Sequence, residues 1–286
     1  MYFIRETSER SDNKNTLKKA ILKNSNFKLI SFEGSPTIND NVTILMDKFK
    51  VDIDLSTTNK NGKIKIFNEL YRNSEFKDEF ALKKTIVENR KLKWGILVYD
   101  DNEYSLFFLK DGKEGRNFYK EFQNAKEFSN WLYENYSTIR YNISNYQEDN
   151  LPKYDISMRK NGKPWPGNVD GILLHNKKMI AVIEFQTTNK QSVREHNNND
   201  WWLPKYSRKG DKERWRSIYI NSNYLNLPII VGVWNPKEEE YCIKLIKGFN
   251  FETDKPPFIF LKKKEIADDK NISIKLLEVL NINEKI

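Results

Sequence analysis

The sequence predicts an α/β fold, α+β overall, on three observations. Stripes of apolar residues at helical spacing interleave with short apolar runs of strand length along the whole chain. Aromatic residues reach 13% while hydrophobic residues are only 38%, and chains that stay disordered are poor in aromatics. The 286 residues suit one large or two medium domains at about 100–200 residues each.

In order, Asn13–Asn24 spaces Leu17, Ala20, Ile21 and Leu22 as a helical face with lysines opposite. Phe27–Phe32 and Val42–Leu55 read as strands, the second alternating through Val51, Ile53 and Leu55. Ile64–Tyr71 and Phe80–Asn89 read as helices. Lys93–Val98 and Tyr104–Leu109 flank Asp100-Asp101-Asn102-Glu103 as a hairpin. Asn124–Tyr136 begins at an Asn cap and aligns Phe128, Trp131, Leu132 and Tyr136 as one stripe. Ser137–Asn150 is polar and irregular, a candidate junction. Asp155–Arg159 reads as a short strand, and Gly and Pro make Lys160–Asn168 a turn. Val169–Leu174 and Met179–Phe185 are apolar strands around His175-Asn176-Lys177-Lys178. Asp211–Tyr224 follows as a helix and Leu227–Trp234 as a buried strand. Tyr241–Ile246 and Phe258–Leu261 add edge strands, and Ile272–Leu280 a closing helix. The expected division is an N-terminal α+β region, 1–122, which contributes recognition or dimerisation, and a second domain, 123–286.

Composition removes several classes. A lone Cys242 excludes an intramolecular disulfide framework and a Cys-cluster zinc site, and His175 and His196 are too few for a His-rich metal centre. No apolar run approaches the ~18–20 residues that span a bilayer, and Met1-Tyr-Phe-Ile-Arg5 is not a signal peptide. A soluble, cytoplasmic protein without membrane partners is expected. The net charge of +9 is concentrated: residues 153–216 carry 14 basic against 7 acidic groups, whereas residues 1–150 carry 25 against 23. A localised surplus of this kind suits a polyanionic partner.

Inside the two apolar runs sit Asp170, Glu184 and Gln186. If the runs pair through a turn centred near Asn176–Lys177, Asp170 falls opposite Glu184 or within one residue of it. Directly opposed side chains have Cβ atoms about 4.5–5.5 Å apart, and Gln186, two residues on, shares the face of Glu184. Two carboxylates that close repel one another unless a cation joins them. Hard carboxylate oxygens suit Mg²⁺, which can activate water and polarise a phosphodiester. The alternative is that both are solvent-facing strand residues. Ile180, Val182, Ile183 and Phe185 leave no clean polar face, which argues for a strand covered on both sides.

Val169-Asp170, thirteen intervening residues and Glu184-Phe185-Gln186, then a helix and an apolar strand, resemble the PD-(D/E)XK nuclease superfamily, the fold of many restriction endonucleases. In that superfamily the Asp and the Glu-x-Lys triplet lie on adjacent strands of a mixed sheet. The resemblance covers roughly residues 125–235, with Asn124–Tyr136 as the preceding helix, and implies a restriction-endonuclease-like core flanked by helices. It implies Asp170 and Glu184 as ligands of Mg²⁺, or of Mn²⁺ in its place, with Gln186 completing the catalytic set. Val169 stands where the family name has Pro, and Gln186 where it has Lys. Glutamine supplies no positive charge, so Lys190, Lys212 and Arg214 are candidate substitutes for the family lysine.

Asn189–Arg216 interleaves Lys190, Arg194, Lys205, Arg208, Lys209, Lys212, Arg214 and Arg216 with Trp201, Trp202, Tyr206 and Trp215. Basic groups neutralise phosphates, Asn and Arg read base edges, and rings stack on exposed bases. Lys190, Arg194, Asn198, Lys205, Arg208, Lys209 and Arg214 are the expected nucleic-acid contacts. The alternative makes Trp201 and Trp202 core anchors and the charges a solvated surface. His196 reads as a polar loop residue, and Cys242 as a buried strand residue.

The expected function is a Mg²⁺-dependent endonuclease hydrolysing double-stranded DNA, of type II restriction type. By resemblance it would act as a homodimer, alongside a cognate DNA methyltransferase. The rivals are a non-specific DNA or RNA nuclease of a defence or toxin system, and a non-catalytic nucleic-acid-binding module with a decayed core.

Overall fold

The computed structural model describes residues 2–5, 15–38, 41–42, 44–101, 103–109, 117–136, 153–163, 169–198, 209–252 and 259–282. The chain opens with β1 (Phe3–Ile4), α1 (Asn15–Leu22), β2 (Phe27–Phe32), β3 (Thr37–Ile38), β4 (Asn41–Val42) and β5 (Ile44–Val51). Next come α2 (Lys60–Arg72), α3 (Lys77–Asn89), β6 (Lys93–Tyr99), β7 (Tyr104–Leu109), β8 (Asn117–Phe122), α4 (Ala125–Tyr136) and α5 (Lys153–Lys160). The remainder is β9 (Val169–His175), β10 (Lys178–Thr187), α6 (Val193–Asn198), α7 (Lys209–Leu225), β11 (Ile229–Trp234), β12 (Glu240–Phe249), β13 (Ile259–Asp268) and α8 (Ile272–Leu280). The fold is mixed α/β with two mixed sheets accompanied by helices.

Two compact units share these elements: Met1–Ser8 with Phe32–Asn168, and Glu9–Ser31 with Val169–Ile286. The 122/123 boundary suggested by the sequence therefore lies inside the first unit. Reading along the chain presumes contiguous domains, whereas β2 takes its sheet neighbour, β9, from beyond the whole first unit.

In the first unit the strand order is β1-β5-β6-β7-β8. β5 and β6 are parallel, so α2 and α3 supply the crossover that parallel strands require. Asn59 caps α2 by accepting the Gly62 N–H at 2.9 Å. Asn124 caps α4 in the way its sequence suggests, accepting the Glu127 N–H at 3.0 Å. Phe122, Phe128, Trp131 and Leu132 join Leu97, Tyr99 and Leu106 in one buried cluster. Asp47 is fully buried and accepts from Lys83 Nζ at 2.6 Å and Trp94 Nε1 at 2.9 Å, which offsets its desolvation. Asp155–Arg159, expected as a strand, lies in helix α5. Five alternating residues fit either period, and one side chain, Met158, decides by burying in the α4 cluster.

The second unit carries the six-stranded sheet β13-β12-β11-β10-β9-β2. β9–β10, β11–β12 and β12–β13 are antiparallel, and β10–β11 is parallel. One face buries Leu173, Ala181, Ile183, Phe185, Ile230 and Ile243 against α1 and α8. Alternation sends Val182, Glu184 and Gln186 to the opposite face. Two sequence expectations change here. The helix on the core side of the sheet from the N-terminal part of the chain is α1, whose Leu17, Ala20 and Ile21 pack there, while Asn124–Tyr136 belongs to the first unit. The strand expected at Phe258–Leu261 runs on to Asp268.

Candidate functional site

The hairpin β9–β10 sets the geometry. Asn176 and Lys177 have φ of 49° and 65°, the left-handed pair of a two-residue type I′ turn. Lys178 pairs with His175 and Met179 with Leu174; then Ile180 bulges, and Ala181 pairs with Leu173. The extra residue advances the register by one, so that Ile183 pairs with Gly171. Continued by one position, this register sets Asp170 opposite Glu184, within the range expected from the sequence. Gly171 is demanded by packing, since a Cβ there would meet the Leu29 side chain at 2.3 Å.

Glu184 is 1% exposed, in a strand covered on both faces. An ionised carboxylate in that setting requires a counter-charge, and Arg214, early in α7, pairs with it. The two ends of this pair differ: the Arg214 side chain remains 35% exposed. Its guanidinium carbon also lies 5.8 Å from the ring centre of buried Trp215. Asp170 is half-buried, and one of its carboxylate oxygens accepts the Phe185 backbone N–H at 3.0 Å. Gln186 is half-buried on the same face.

The same face holds a residue the sequence reading passed over. Glu184 pairs with Val231, and Val231 with Lys244, so Lys244 lies two strands, about 10 Å, across the sheet. Lys244 is fully buried, and its Nζ donates to the His196 carbonyl at 2.6 Å. A lysine inside the apolar run Tyr241–Ile246 was the available signal. α6 closes over this part of the face, with Cys242 Sγ 3.2 Å from Asn197 Oδ1. Burial pushes the Cys242 thiol up to about 11. His196 is buried rather than a polar loop residue, and burial first, then nearby Lys244, lowers its pKa to about 3.

The proposed phosphate contacts separate. Arg194 is 73% exposed but holds Glu240 through two hydrogen bonds of 2.7 and 2.6 Å, so its fork is engaged within the chain. Lys190 and Asn198 are exposed. Lys209 and Lys212 lie in α7, their side chains outside the described residues, and Lys205, Arg208, Trp201, Trp202 and Tyr206 fall outside them altogether. Of the three residues expected as substitutes for the lysine of the resembled family, Arg214 is placed against Glu184, and the Lys212 side chain lies outside the described residues.

The residues that could hold a cation are Asp170 and Glu184, hard oxygens on adjacent strands. Among the described residues no group of three or more His, Cys, Asp or Glu gathers as a larger metal cluster. Two carboxylates fit Mg²⁺, which commonly takes one or two and completes its shell with water and phosphate oxygens. No described helix is long and apolar enough to cross a membrane. Comparison of the chain with protein-family models, curated proteins and solved structures gives no match.

Proposed function

We propose that the chain is a Mg²⁺-dependent endonuclease of the PD-(D/E)XK type that hydrolyses double-stranded DNA, most simply as a type II restriction enzyme. One observation carries the reading: the β9–β10 register, continued one position past Ile183 and Gly171, sets Asp170 opposite Glu184 on adjacent strands of a mixed sheet, with Glu184 buried and Gln186 two residues on. A sheet selected for stability alone avoids two acids in that relation.

In this reading Asp170 and Glu184 hold the cation, which supplies water activation and charge neutralisation at the scissile phosphate. Gln186 orients the attacking water through its amide. Arg214, which pairs with Glu184 in the metal-free chain, keeps near the site a positive charge that glutamine lacks. Asp170 is itself positioned by the Phe185 N–H, which fixes one oxygen. Cutting both strands calls for two such sites, hence a homodimer, and a host carrying it would need a methyltransferase to shield its own DNA. The first unit would serve recognition or dimerisation.

The test is digestion of methyl-free genomic DNA with Mg²⁺ by the parent and Glu184→Ala. Discrete fragments from the parent alone are expected. A ladder or smear would instead indicate a non-specific nuclease. Binding without cutting, unaffected by Asp170→Asn, would indicate a non-catalytic module.

A further inference from the structure

We infer that Arg214 and the metal ion compete for a single seat at Glu184, so that metal binding and release of Arg214 are one coupled event. The inference rests on the nuclease reading and concerns how the site is held before metal arrives. Glu184 is 1% exposed and Arg214 supplies its counter-charge. Removing that charge without replacement would leave a buried carboxylate uncompensated, a strongly unfavourable state. Placing a divalent cation on the same carboxylate while the guanidinium stays would set like charges side by side where water screens poorly. One cation must leave.

The two cannot yield equally. Glu184 lies within β10, its backbone paired to β11, so the sheet fixes its position. Arg214 lies in the first turns of α7 with a third of its side chain already exposed, on a long flexible stem. The guanidinium is therefore the group that moves, and it takes a positive charge to the solvent side of the site. Arg214 thus holds the folded site together without metal and lowers metal affinity by the amount of its own attraction to Glu184. Linkage makes this reciprocal: whatever removes Arg214 tightens metal binding, and metal loosens Arg214.

Calorimetric titration with Mn²⁺ alone, without DNA, tests this on the full-length parent, Arg214→Gln and Glu184→Gln. Arg214→Gln is expected to bind Mn²⁺ roughly tenfold more tightly than the parent, within the usual range for coupled sites. Mn²⁺ should also raise its melting temperature more than it raises the parent's. Glu184→Gln should lose the binding. Equal or weaker Mn²⁺ binding by Arg214→Gln, with the parent still binding, overturns the competition and leaves the metal site standing. Absence of Mn²⁺ binding from both overturns the competition and the metal reading together. Should Arg214→Gln fail to fold alone, folding on addition of Mn²⁺ supports the competition, and failure to fold in excess Mn²⁺ overturns it.

Discussion

Glu184 and His196 are both buried in the second unit, and the fold handles the two burials in opposite ways. Glu184 is given a counter-charge by Arg214. His196 is kept neutral, its pKa lowered to about 3 by burial and by Lys244. A histidine depressed in the folded state stabilises fully above its unfolded pKa of about 6.5 and loses that contribution as pH falls toward the folded value. Stability should therefore decline between pH 6.5 and 3, by about 2 kcal/mol at pH 5 from this group. Denaturant melts of the parent and His196→Gln check this: the variant should show a flatter pH dependence, and an unchanged slope would refute the assignment. Glu184 was legible in the sequence because an acid within an apolar run is conspicuous. Arg194 was misleading because its partner Glu240 arrives from a strand 46 residues away. Lys244 was missed for a related reason: its bond is to the backbone carbonyl of a helix that the sequence did not announce.

At the scale of elements, the hairpin β9–β10 carries most of the functional geometry, and most of it was readable. Two apolar runs with a short polar spacer fixed both strands and the approximate register. The bulge at Ile180 was not readable, since it depends on how β10 twists against its neighbours. α6 also escaped notice: five of its six residues are polar, and a single valine, Val193, makes no apolar period. The turn itself makes a prediction. Lys177 adopts φ 65°, where a side chain costs about 1–2 kcal/mol that glycine avoids. Lys177→Gly should raise stability by about 1 kcal/mol in denaturant melts and leave the register intact. A loss of stability would show that the lysine side chain contributes more than its backbone strain costs.

Across the whole molecule, the chain enters the second unit at α1 and β2, leaves it for the first, and returns at β9. Asn176 donates to the Asn26 carbonyl at 3.0 Å, and Leu29 stands against Gly171, so the end of β2 lies near the start of β9. Residues 9–31 joined by a short turn to residues 169–286 should consequently fold as a cooperative unit, judged by a single sharp melting transition. A broad transition would show that this sheet needs the first unit. The discontinuity also revises the charge argument. The basic window 153–216 straddles both units, with Lys153, Arg159, Lys160 and Lys163 in the first, and only its later part, from residue 169, belongs with the Glu184 sheet. No count along the chain could have shown that split. We propose that Asp170 and Glu184 form a metal-dependent phosphodiesterase site. Its most direct test is the rate of Mg²⁺-dependent cleavage of methyl-free DNA by the parent and by Glu184→Ala, with DNA binding measured for both. Discrete fragments are expected from the parent and a rate at least about 100-fold lower from the variant, with DNA binding retained. An intact substrate with the parent, or equal cleavage by the variant, would contradict it.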